Sequence, residues 1–124
     1  MRERSYIGID KTDKNEWIAV LGNHGKFVFS RPFKDTQPEL EALVRFICER
    51  CERPKICLNT ANPSALTLLK YVGGIPGVEV VLMSNAGLRL HLDWLPKDSA
   101  STTPLLLNNS SRACLLACCA ERMI

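Results

Sequence analysis

Asp10 leaves the short apolar run Ile7-Gly8-Ile9 and is the acid best placed to do chemistry. An acid at the end of a central strand can meet acids from a later strand and from a C-terminal helical region. Two divalent metals need such a cluster, because each Mg²⁺ wants several oxygens and the pair must clamp the attacking and leaving oxygens of a phosphate. The other reading of Asp10 is a strand-end aspartate that caps the following turn. Cys48 and Cys51 form the run Cys-Glu-Arg-Cys, with Cys57, Cys114, Cys118 and Cys119 as further thiols. That spacing invites zinc or redox chemistry, yet both fall on the apolar side of a helical pattern, so core packing is expected. His24 and His91 have no second histidine at ligand spacing, and Ser99, Ser101 and Ser110 have no nearby base. A phosphate-cradling loop after Asp10 is set aside, because Lys11-Thr12-Asp13-Lys14 contains no glycine.

The elements that must position these residues follow from local pattern. Tyr6 to Asp10, Trp17 to Leu21 and Phe27 to Phe29 are β-branched or aromatic runs separated by polar segments, and they predict a three-stranded antiparallel meander. Thr36, Pro38 and Glu39 make a capping-box start. Behind them Leu40, Leu43, Val44, Ile47, Cys48 and Cys51 recur at the spacing of one helical face. Lys55 to Leu58 predicts a strand buried on both faces. Asn62-Pro63 opens a second helix through Leu66, Leu69 and Val72, which Gly73-Gly74 can end. Val78 to Met83 predicts a further strand, Ala86 to Leu95 a helix stopped by Pro96, and Arg112 to Met123 a last helix; Lys97 to Ser111 is rich in Ser, Thr and Asn.

The order β-β-β-α-β-α-β followed by helices predicts an α/β fold of the ribonuclease H-like plan, with a mixed five-stranded sheet of three antiparallel strands and then two parallel ones. A flavodoxin-like sheet fits less well, because three strands precede the first helix. A length of 124 residues predicts a single domain, 1–124, with a C-terminal helical segment from about 104. Composition is globular, with 46% hydrophobic and 23% charged residues, which excludes disordered and collagen-like classes. The formal charge of +3 is too small to argue for nucleic acid by itself. Without a signal-peptide core or an apolar run of roughly 20 residues, a cytoplasmic protein with no membrane role and free thiols is expected.

Ile7-Gly8-Ile9-Asp10-Lys11, followed by Trp17-Ile18-Ala19-Val20-Leu21, resembles the opening of the RuvC-like N-terminal domain of insertion-sequence transposases and pilin-gene-inverting recombinases. Leu58-Asn59-Thr60-Ala61-Asn62 corresponds to that family's Met-Glu-Ala-Thr-Gly-like motif, and Met83-Ser84-Asn85-Ala86 to its Val-Asn-Pro-like motif. Lys97-Asp98-Ser99-Ala100-Ser101 is similar to its Lys-Thr-Asp-x-x-Asp-like motif, with a gap of one residue. The resemblance runs from about residue 5 to 103 and implies a DNA nuclease or recombinase fold.

It also implies an impaired site. The family's four acids reduce here to Asp10 and Asp98, with Asn59 in place of the glutamate and Ser101 in place of the last aspartate. Asp10 and Asp98 are thus the candidate catalytic residues, and Asp10, Asp98 and Asn59 the candidate metal ligands. Asparagine offers a metal one neutral oxygen and no charge, so no cofactor is required, and Mg²⁺ or Mn²⁺ enters only if a residual site survives. The family's C-terminal serine domain is not expected in so short a chain. The first functional reading is a catalytically impaired module that binds duplex or branched DNA, or regulates, using Arg31, Lys34, Lys55, Lys70, Arg89 and Lys97 on phosphates. The second is a homo-oligomer formed through the C-terminal helix Cys114 to Ala120, which is apolar nearly all round. The third is a residual nuclease using Asp10 and Asp98 with Asp13 or Asp93.

Overall fold

The computed structural model describes residues 4–12, 14–23, 26–94 and 109–123. Its centre is β1 (Tyr6–Lys11), which pairs antiparallel with β2 (Glu16–Asn23) on one side and parallel with β4 (Lys55–Asn59) on the other. β3 (Lys26–Lys34) continues the meander beyond β2, and β5 (Glu79–Met83) lies parallel beyond β4. The sheet is therefore open and mixed, with five strands in the order β3-β2-β1-β4-β5. The Tyr6 strand sits in the middle, flanked by the Trp17 strand and the Ile56 strand.

Alternation along the strands divides the core in two. Ile7 and Ile9 of β1, Trp17 and Ala19 of β2, and Ile56 and Leu58 of β4 face one side, where α1 (Gln37–Arg50) and α2 (Ala65–Val72) cover them. Cys57 of β4 and Met83 of β5 face the other side, under α3 (Asn85–Leu90) and α4 (Asn109–Arg122). Gly8 belongs to that second side because α4 rests on it. A Cβ built there would lie 2.0 Å from the Ala113 carbonyl oxygen and 2.3 Å from the Ala117 nitrogen. Only hydrogen at this position lets the helix backbone come so near the strand.

Several local expectations change in the folded chain. β3 runs on through Pro32 to Lys34, which an edge strand tolerates since its outer backbone groups pair with nothing in the sheet. Thr36 is the N-cap of α1, but its hydroxyl makes no capping bond; Pro38 and the backbone bond from Leu40 N–H to the Thr36 carbonyl define the start. Cys48 is exposed, whereas Cys51 is buried. The buried stripe of α1 passes through Leu40, Leu43 and Ile47 and takes in Phe46, so Cys48 turns away from the core. α3 opens at Ser84, whose hydroxyl accepts the Gly87 N–H at 3.1 Å, and closes at Leu90; a 3₁₀ turn over Leu92–Trp94 follows, and Leu95 lies outside the described residues.

The apolar α4 is covered by the chain's own sheet. Leu115, Leu116, Ala117, Cys119 and Ala120 are all buried against β1, β2 and β4. The surface that this helix requires is thus present within one copy. The helix begins at Asn109, so the expected start of a helical segment near residue 104 lies outside the described residues. No helix among the described residues is long and apolar enough to cross a membrane.

Candidate functional site

Asp10 is the fifth residue of β1 and shares the face of Gly8, so its carboxylate emerges beneath the first turn of α4. There Arg112 Nε donates to Asp10 Oδ2 at 2.9 Å. The carboxylate is buried, with 6% of its side chain exposed, while the Arg112 side chain keeps 32% exposure. Beside Asp10, Asn59 ends β4 and points to the same face as Cys57. Its amide is committed at both ends: Nδ2 donates to Asn85 Oδ1 at 2.8 Å, and Oδ1 accepts the Ala61 N–H at 2.9 Å. Asn62 Oδ1 accepts the Ser64 N–H at 2.8 Å and shapes the turn leading into α2.

Lys11, one residue further along β1, belongs to the opposite face. Its Nζ donates to Asp35 Oδ2 at 2.8 Å and to Ser64 Oγ at 3.0 Å, and Trp17 Nε1 donates to the other Asp35 oxygen at 3.1 Å. The Lys11 ammonium beside Asp35 holds its carboxyl below the usual carboxylate range; desolvation opposes this, and the Trp17 bond adds to the lowering. This network ties the end of β1 to the end of β3 and the start of α2.

Together Asp10, Lys11, Asn59, Ala61, Asn62, Asn85 and Arg112 line a cleft of about 200 Å³ at the carboxyl ends of β1, β4 and β5. Open α/β sheets place their ligands in this position. Its lining carries the cations Lys11 and Arg112 and the carboxylate of Asp10, and each cation is paired, Lys11 with Asp35 and Arg112 with Asp10. The side-chain donors among the described residues do not by themselves fit a pair of Mg²⁺ ions. The Asp10 carboxylate carries a guanidinium, and the Asn59 oxygen is already bonded to backbone. Among the described residues no group of three or more His, Cys, Asp or Glu could hold a metal ion. Of the expected ligands, Asp10 and Asn59 are adjacent at the cleft. Asp98, Ser101 and Asp13 lie outside the described residues, as does the side chain of Asp93.

Arg112 is the residue that sequence reasoning missed. Its signal was present: it is the one ionised side chain before Glu121 in a helix that is apolar from Ala113 to Ala120, and such a charge needs a partner or a route to water. Lys55, expected on phosphates, is buried and donates from Nζ to the Met123 carbonyl, at the end of α4. A cation there satisfies a helix C-terminal carbonyl, which removes it from any ligand surface. Arg31, Lys34, Lys70 and Arg89 are exposed but distributed over β3, α2 and α3, and Lys97 lies outside the described residues.

The cysteines are free thiols. Burial pushes Cys57 up to about 12, with Cys119 nearby adding to the rise, and burial also pushes Cys119 up to about 12. Such thiols are packing groups, since the thiolate is the form that reacts or binds metal. Compared with models of known protein families and with curated proteins, the chain matches none of them.

Proposed function

We propose that this chain is a ribonuclease H-like domain that binds nucleic acid, duplex or branched DNA above all, without cleaving it. The observation that carries this reading is the Asp10–Arg112 ion pair at the carboxyl end of the central strand. Two-metal nucleases place cations on a strand-end carboxylate so that the cations can hold a phosphodiester. In this chain the carboxylate is neutralised by a guanidinium. A guanidinium has five N–H donors, and Nε accounts for one of those facing Asp10, so others remain for a phosphate. It offers binding but no activated water and no Lewis acid. The five-strand order and the sequence of elements support the ribonuclease H-like part of the proposal.

The test is fluorescence anisotropy with labelled duplex and four-way DNA, run over a series of salt concentrations with and without Mn²⁺. Expected are salt-sensitive binding that needs no metal and no metal-dependent product on a gel. Arg112→Lys keeps a charge beside Asp10 but loses the fork, and should weaken binding about tenfold, the worth of one charge-assisted hydrogen bond. Binding that ignores Arg112→Lys, absence of binding, or Mn²⁺-dependent cleavage abolished by Asp10→Ala would each overturn the proposal.

A further inference from the structure

The two edges of the sheet are built differently. β3 carries the devices that blunt an edge: Pro32, with Arg31 and Lys34 exposed beside it. β5, at the other edge, reads Glu79-Val80-Val81-Leu82-Met83 and has no proline, lysine or arginine. Its single charge, Glu79, is paired with Arg4 at 2.8 Å. Leu82 is 48% exposed, among the largest exposures of an apolar side chain in the described residues.

The hydrogen-bond register shows which backbone groups this edge offers. Glu79 N–H donates to the Pro54 carbonyl, and Thr60 N–H to the Met83 carbonyl, so Glu79, Val81 and Met83 turn their backbone toward β4. In a parallel ladder the alternate residues turn the other way, so the N–H and C=O of Val80 and Leu82 point out of the sheet. We propose that β5 is a self-association edge, pairing antiparallel with β5 of a second copy of this chain about a two-fold axis through Val81.

In that register Val80 stands directly opposite Leu82 of the second copy. Each exchanges N–H and C=O with the other, and the symmetry repeats the exchange on the far side of the axis. All outward groups of the strand are then paired. Val81 meets Val81 of the second copy on one face, and Leu82 is covered by Val80 of the second copy on the other. Glu79 falls opposite Met83 of the second copy, so no like charges meet. An isologous interface demands this self-complementarity, and a strand with a charge at or beside its centre would lack it. The two sheets become one continuous sheet, and the cleft at Asp10 stays open in each copy.

Sedimentation equilibrium on the full chain, paired with amide hydrogen exchange, tests this. Expected are twice the chain mass and Val80 and Leu82 amides whose protection grows with protein concentration. Leu82→Lys, at a half-exposed position, should return the mass of one chain with an unchanged far-UV circular dichroism spectrum. A wild-type chain that stays monomeric, or a dimer that survives Leu82→Lys, overturns the proposal. So do slow Val80 and Leu82 amides at the mass of one chain, which would mean that the edge is covered from within. If Leu82→Lys does not fold, the concentration dependence of those two amides in the wild-type chain decides alone.

Discussion

Asp10 and Arg112 are unequal partners, and the inequality defines what each does. The carboxylate is buried and could not stand alone, whereas the arginine keeps a third of its side chain in contact with solvent. Arg112 therefore serves both as counter-ion and as the arm that reaches the cleft. Lys11, on the other face of the strand, is spent on structure through Asp35 and Ser64. Because the folded chain holds the Asp35 carboxyl below its ordinary range, the sign of the linkage is set. The contribution is fully present above the unfolded value near pH ~4 and is lost as pH falls through the lower folded value. Asp35→Asn removes it. In urea unfolding, the variant should be less stable than wild type at pH 6, and the gap between the two should narrow as pH falls below about 4. A gap that stays constant would show that Asp35 is not the group holding this proton balance.

At the scale of elements, α4 decides the site, and Gly8 decides α4. The atoms that a Gly8 side chain would meet are a backbone oxygen, a backbone nitrogen and the Leu116 Cβ, none of which a change of rotamer can move. Gly8→Ala should therefore lift the helix and cost about 3 kcal/mol, the upper part of the range for overpacking a core. Thiol labelling reads the displacement directly. In the wild-type chain Cys48, the exposed thiol, should react first, while Cys57 and Cys119, buried and pushed up to about 12, stay unlabelled. In Gly8→Ala, both should become reactive before global unfolding, because they lie in the interface between α4 and the sheet. If labelling of Cys57 and Cys119 is unchanged, α4 does not depend on the missing Cβ.

Across the whole molecule the two layers have separate tasks. The layer under α1 and α2 holds the larger apolar core, and the layer under α3 and α4 holds a smaller core together with the polar cleft. At the cleft Arg112 is bonded to Asp10, and the Asn59 amide is held by Asn85 and by the Ala61 N–H. Asn59→Glu by itself should give no metal affinity, because the guanidinium competes for the added charge. Asn59→Glu combined with Arg112→Gln removes the guanidinium and places two carboxylates together, and Mn²⁺ should then raise the melting temperature. Stabilisation by Mn²⁺ in the single variant would mean that the ion displaces Arg112. No stabilisation in the double variant would mean that the backbone at this end of the sheet cannot bring two carboxylates to one ion.

The strands, the central place of Tyr6 to Asp10, the α1 helix and the strand-end position of Asp10 were all legible in the chain, because alternation, helical spacing and cap residues act over a few neighbours. The partner of Asp10 was not, since Arg112 lies 102 residues away and reaches it only when α4 seats on Gly8. The same distance hid the fate of Lys55, which pairs with a carbonyl 68 residues on, and the destination of the apolar C-terminal helix, whose pattern demanded a partner surface without saying which. Local sequence determines which faces are apolar and where a strand ends. Only the packed tertiary structure decides which charge sits over a buried carboxylate, and here it sets Arg112 over Asp10.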